Sequence, residues 1–267
     1  MKFRFALALL GLAALIGSFA PAQKAIADLP IRPFPVYDNM FFRGKLDTTG
    51  DGLIISNILY EGSIWPHHTN EGKLPDRNAY RKLVRSHNKN PGPLVIDIEL
   101  LPVKGPNAKA NMETLATLAD WAHEDAPGKV IGFYGSETLT KVPAVDLPLA
   151  RELAKHVDAF FPPMYTFDDD RAKWAQRAKQ EADEARDLGP GKPVYFYLWP
   201  QYHDNTPKQF QWVDSSYWKF QLDNARRDAD GIVLWGSSKF DWDNSTGWWT
   251  ATQAFMRSLQ PPPGARY

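Results

Sequence analysis

From Val36 to Leu259 short apolar runs alternate with longer stretches in which apolar positions recur every three or four residues. The first kind, of strand length and rich in β-branched and aromatic residues, comprises Val36 to Phe42, Leu53 to Tyr60, Leu94 to Glu99, Lys129 to Tyr134, Val157 to Phe161, Val194 to Trp199 and Gly231 to Trp235. The second kind predicts helices over Asp76 to His87, Asn111 to Glu124, Leu147 to His156, Arg171 to Leu188, Ser215 to Asp228 and Thr246 to Leu259. Local punctuation agrees. Asp168-Asp-Asp170 places negative charge where the helix at Arg171 begins, Asn107 or Asn111 is a possible cap for the helix over Asn111 to Glu124, and Gly189-Pro190-Gly191 ends the helix at Leu188. Near-continuous apolar strands separated by helices imply a parallel sheet covered by helices, and at this length the natural closed form is a single α/β domain, a (β/α) TIM-like barrel with seven main strands.

The chain start changes the picture of where the protein works. Lys2 and Arg4 precede an apolar run from Phe5 to Ile16, with small-residue sites at Ala20-Pro-Ala22 and Ala25-Ile-Ala27, the pattern of an export signal. The run is shorter than the roughly 20 apolar residues of a membrane span. The expected organisation is a signal peptide over 1–27, a catalytic barrel over 28–260 and a Pro-rich tail over 261–267, in a secreted or periplasmic bacterial protein with no membrane anchor once the leader is removed.

Lys plus Arg equals Asp plus Glu at 31 each, so no long-range field gathers nucleic acid. The absence of cysteine removes disulfides, thiolate nucleophiles and thiolate metal sites. No cofactor and no metal are expected. His67-His68 project apart on an extended segment and read as solvated loop residues, and Asp47 to Gly52 resembles a calcium loop but has Ile58 where the last acidic ligand belongs, so it reads as a turn.

The candidate chemistry lies at strand ends, where barrels of this kind place their sites. Asp97 and Glu99 close the third apolar run, and side chains two apart on a strand share a face with Cα atoms roughly 6.5 Å apart. Burial raises a carboxyl pKa and a second carboxylate raises one of the pair further, so Glu99 is expected to stay protonated near neutral pH with Asp97 tuning it. The same triplet also fits a helix cap or an ion pair at the barrel mouth. Tyr60, Tyr134, Tyr165, Tyr197, Tyr202 and Trp235 fall at the ends of other runs, and flat rings stack on sugars as readily as they fill a core. His203-Asp204 follows a strand end and reads equally as a substrate contact or a surface turn.

The stretches Val95-Ile-Asp-Ile-Glu99, Phe160-Phe-Pro-Pro-Met-Tyr165, Val194 to Asp204, and above all Ala229-Asp-Gly-Ile-Val-Leu-Trp-Gly-Ser-Ser238 resemble the strand ends of animal and venom hyaluronidases; Ile58 to Pro66 is similar to their second strand and loop. The resemblance runs in order from about residue 54 to residue 238. It implies a distorted barrel of seven main strands and a retaining endo-β-N-acetylhexosaminidase whose nucleophile is the substrate's own acetamido oxygen. It further implies Glu99 as general acid and base, Asp97 positioning the acetamido group, Tyr165 and Tyr197 lining the subsite, and Trp235 as an apolar wall. Departures from that family are the missing disulfides, Leu100-Leu-Pro102 after the acid where the family carries a tryptophan, and a shorter chain. The finish Asp241 to Trp249 either rebuilds part of the groove wall or packs as a closing loop. The expected partner is a polysaccharide or other glycan. Alternatives are a carbohydrate-binding protein on the same barrel that lacks turnover, and a barrel hydrolase of peptidoglycan or capsule.

Overall fold

A computed structural model describes residues 33–66, 73–135 and 141–260, so the leader, His67-His68 and the Pro-rich tail lie outside the described residues. Among the described residues there are seven strands: β1 (Val36–Met40), β2 (Ile54–Ile55), β3 (Asn57–Tyr60), β4 (Leu94–Asp97), β5 (Ile131–Phe133), β6 (Tyr195–Leu198) and β7 (Gly231–Gly236). Each pairs with its neighbours in parallel, in a four-stranded sheet β2-β1-β7-β6 and a three-stranded sheet β3-β4-β5.

The two sheets join along two seams to make the barrel. At the first, the run predicted as one strand from Leu53 to Tyr60 is split at Ser56: Ile54 and Ile55 pair with β1, Ser56 N donates to Asp38 O at 2.9 Å, and Asn57 onward pairs with β4. At the second, the run predicted as a strand over Val157 to Phe161 forms isolated bridges instead of a ladder, from Tyr134 to Phe161 on one side and from Phe160 to Val194 and Pro163 to Tyr197 on the other. Pro162 and Pro163 are the reason, since neither has an N–H to give. Their stave still closes the gap, because Asp158 N reaches Ile131 O at 2.7 Å and Tyr197 N reaches Pro162 O at 3.0 Å. Gly132 lets this stave come close to β5, as a Cβ there would lie 2.3 Å from Ala159 O.

Helices Arg77–His87, Ala108–Asp125, Leu147–Ala154, Arg171–Leu188, Ser215–Asp228 and Trp248–Leu259 follow the predicted order. Three begin on aspartate caps: Asp76 accepts from Ala79 N, Asp170 from Lys173 N, and Asp214 from Ser216 N and Tyr217 N. Each such cap contributes about 1 kcal/mol. The cap role expected for Asp168 to Asp170 is thus carried by Asp170, whereas Asn107 precedes its helix without a side-chain bond. Asp47 closes its turn onto Thr49, followed by a 3-10 turn over Thr49–Asp51.

Aromatic rings fill the barrel interior. Tyr37 on β1 and Tyr195 on β6, two strands apart, meet edge to face at 5.4 Å; Phe161 touches Tyr195 at 5.5 Å and Tyr197 at 6.3 Å; and Tyr197 meets Tyr134 at 5.1 Å. This column of rings leads without a break from the core to the strand ends. The tryptophan-rich finish packs elsewhere: Trp248 stacks on Trp212 at 5.6 Å and touches Trp242 and Trp249, with Phe42 between Trp212 and Trp242. No helix among the described residues is long and apolar enough to cross a membrane.

Candidate active site

A cleft of about 510 Å³ opens at the ends of the strands, within the range of small-ligand sites. Asp97 and Glu99 from β4 and its extension form one wall, with Tyr60, Tyr134, Tyr165, Tyr197 and Trp235 around them. The register explains the meeting: Tyr60 stands opposite Asp97 across β3 and β4, and Tyr134 N bonds Ile96 O at 3.0 Å, so three neighbouring strands deliver these side chains at one level. Trp235 Nε1 donates to the Tyr60 hydroxyl at 3.3 Å and closes the ring from the β7 side.

The two acids differ in surroundings. Ile98 between them is fully buried, Asp97 is mostly covered and Glu99 is exposed at the mouth. The Asp97 carboxyl is pushed up to about 7, by burial first and then by the charges of Glu99 and Glu61. For this deeper member of the pair, desolvation outweighs the repulsion from its neighbours as the cause of the raised pKa.

The tyrosines are held as neutral donors. Burial raises the pKa of Tyr134, Tyr165 and Tyr197 well above the phenolic norm, and that of Tyr60 in the same direction. Tyr134 and Tyr165 are hydrogen-bonded to each other, and Asn39 Nδ2 on β1 donates to the Tyr197 hydroxyl at 2.9 Å. Arg177 binds the carbonyl of Tyr165 from the helix behind it.

Tyr202 is not brought to the cleft. Its ring is buried under Lys208 at 5.2 Å and its hydroxyl donates to Asp169, so it ties two loops together. Parity explains this: beyond β6 the residues sharing a face with Tyr197 are Trp199 and His203, and these two do line the cleft. Trp199 stands 4.8 Å from Trp235 and 5.7 Å from Tyr165, and His203 stacks on Tyr165 at 5.6 Å. His203 is already a candidate contact from its place after the strand; counting by twos from Tyr197 adds Trp199, and also Gln201, which is instead buried and bonded to Trp199 Nε1 and Phe210 O. Phe210, Ser237, Lys239 and Phe240 complete the rim from the two following loops, for which no periodic signal exists. Asp204 also lines the cleft, paired with its neighbour His203. A recess of about 300 Å³ continues past Glu99, Tyr134 and Tyr165 to Pro102, Lys141, Phe167 and Arg177, so the cleft is a groove rather than a pit. Among the described residues no group of three or more His, Asp or Glu side chains is placed to hold a metal.

No family model and no curated protein sequence matches the chain. Solved structures do. Bee venom hyaluronidase superposes with a TM-score of 0.61 at 15% identity, over 85% of this chain and 98% of that one. Bee venom hyaluronidase in complex with a hyaluronic acid tetramer gives 0.60 at 15% identity, over 84% and 96%. At this identity the likeness is one of fold: the seven-strand barrel described above is similar to the barrel of bee venom hyaluronidase.

Proposed function

We propose that the chain is a glycoside hydrolase that cleaves N-acetylhexosamine-containing polysaccharide by a retaining, substrate-assisted mechanism. The observation that carries this reading is the acid pair: a mostly covered Asp97 and an exposed Glu99 on one wall of an aromatic groove. A protein-supplied nucleophile needs a second carboxylate facing the acid across the sugar. Here both acids share one strand, and the third carboxylate in the groove, Asp204, is engaged by His203. A sugar that brings its own acetamido oxygen fits that arrangement.

In this reading Glu99 gives its proton to the glycosidic oxygen as the acetamido oxygen attacks the anomeric carbon, closing an oxazolinium ring and releasing the leaving chain. Asp97 accepts the acetamido N–H, aligning the nucleophile and balancing the ring's charge. Tyr165 and Tyr197, neutral donors with fixed hydroxyls, steady the intermediate, and Trp235 with Trp199 packs against the methyl group and the sugar face. Glu99 then takes a proton from water, which opens the ring with retention. Tyr60 and Tyr134 line the same subsite. The bee venom fold, crystallised with a hyaluronic acid tetramer, supports a glycan as the ligand. Export guided by residues 1–27 belongs to the same proposal.

The test is a reducing-end assay on hyaluronan, chondroitin, chitin oligomers and peptidoglycan, run with the native chain and with Glu99→Gln. Turnover by the native chain, lost in the variant while binding persists, is the expected result. Binding by both with turnover by neither would make the protein a carbohydrate binder, and turnover confined to peptidoglycan would move it to the wall-hydrolase reading.

A further inference from the structure

We propose that Glu61 is a positioning residue for Glu99: it holds the backbone beneath the acid by accepting two successive amide protons just past the point where strand β3 ends. The inference rests on the reading of Glu99 as the general acid. β3 and β4 stay in register as far as Tyr60 opposite Asp97, after which β3 turns into the short helix Glu61–Ile64 while the other chain continues through Ile98 and Glu99 to a bend at Leu100. In a continuing parallel pair, the Glu99 N–H would meet a carbonyl of β3, since alternate N–H groups of β4 face that strand and the others face β5. In its place the Glu61 carboxylate comes across, its Oε2 accepting from Glu99 N at 3.0 Å and from Leu100 N at 3.3 Å. A side chain thereby takes the place of the next β3 carbonyl and draws in the following N–H as well, just where the backbone must present the acid.

The location gives this bond its consequence. Ile98 is buried and fixes the chain from below, but Glu99 and Leu100 are exposed at the groove mouth. Side chains alternate along an extended chain, so a turn of one peptide there swings the Glu99 carboxyl off the groove face. Glu61 does not itself line the groove, so it reaches the substrate only through the backbone of Glu99. A charged acceptor suits the task, since a carboxylate binds two N–H groups more strongly than a neutral amide does.

The same charge acts on Asp97. That carboxyl faces Glu99 on its own strand, Glu61 and Tyr60 from the β3 side, Tyr134 from β5, and Tyr165 and Tyr197 from the staves beyond. Neutralising Glu61 removes one of the two negative neighbours and lowers the pH at which Asp97 loses its proton.

Two variants of the full chain test the assignment. Glu61→Ala removes the acceptor and the charge, whereas Glu61→Gln keeps an acceptor oxygen and removes the charge alone. By amide hydrogen exchange, Glu99 and Leu100 are expected to be protected in the native chain and in Glu61→Gln, and to exchange about tenfold faster in Glu61→Ala. By carbon NMR of labelled aspartate, the Asp97 titration moves to lower pH in both variants. On whichever polymer of the panel the native chain cleaves, Glu61→Ala lowers kcat about tenfold at unchanged KM and Glu61→Gln restores most of it. Unchanged amide exchange in Glu61→Ala, or an Asp97 titration that stays in place, overturns the proposal. So does an equal loss of melting temperature in both variants without the split in kcat. If the native chain cleaves none of the four polymers, the hydrolase reading fails while the exchange and titration data still decide the role of Glu61.

Discussion

At the strand starts, polar side chains are spent on the backbone. Asn57 Nδ2 serves the carbonyls of Asn90, Gly92 and Pro93 at 3.1 to 3.2 Å, and its Oδ1 accepts from Lys89 N and Asn90 N. Asp158 accepts from Ile131 N at 2.9 Å while its own N–H binds Ile131 O, and Asp230 repeats that reciprocal latch on Val194. At the strand ends the same kinds of side chain face inward on a groove, and Asp97 is held there at a cost, with a pKa far from its preferred value. The difference is physical: satisfied carboxylates and amides close the bottom of the barrel, while at the top one carboxyl, Asp97, is held away from its preferred charge state.

The sharpest break of that comparison is Glu99→Gln. It is expected to lower kcat about a thousandfold with a melting temperature within a degree or two of native, measured by reducing-end assay and calorimetry on the same preparation. A variant that melts early would put Glu99 with the stabilising residues instead. The next effect is one of pH. The folded-state pKa of Asp97 is raised from the ordinary 3.8 to about 7, so the native state binds the extra proton and its stability falls as pH rises from about 4 to about 7. Asp97→Asn should flatten that slope: the two proteins melt alike at pH 4, and the variant gains up to about 4 kcal/mol above pH 7 in denaturant titrations. An unchanged slope would mean that the carboxyl is not buried against charge.

At the other end Asn57→Ala leaves buried backbone groups without partners, and a loss of about 3 kcal/mol is expected with kcat unaltered per folded molecule. Activity lost beyond the unfolded fraction would show that the two ends are not separable. The smallest effects divide the aromatic residues after β6. Trp199→Ala should raise KM about tenfold, whereas Tyr202→Phe, which removes only the bond to Asp169, should cost about 1 kcal/mol of stability and leave KM as it was. The reverse pattern would place Tyr202 in the groove.

Much of this was legible in the chain because it follows from period and composition. Apolar runs and helical stretches alternate, and Pro162-Pro163 marks the stave that fails to form a regular strand although its run looks like one. Asp97 and Glu99 share a face by simple alternation, and the ends of β3, β4, β5 and β7 bring Tyr60, Tyr134 and Trp235 to them without long loops to intervene. Tyr202 shows the limit of reading by proximity to a strand end, since one residue of parity separates a groove wall from a loop staple.

What the amino-acid order determined alone is everything set by neighbours a few residues apart: strand and helix order, the aspartate caps, and the facing of the acid pair. Tertiary structure decided what depends on distance and solvent. Only the closed barrel buries Asp97 and so raises the pKa of the inner acid, only it carries Asn39 to Tyr197 across 158 residues, and only the ending of β3 beside a continuing β4 brings Glu61 to the backbone of Glu99. Desolvation and long-range hydrogen bonds have no periodic signature, because they are properties of the space between segments rather than of any segment.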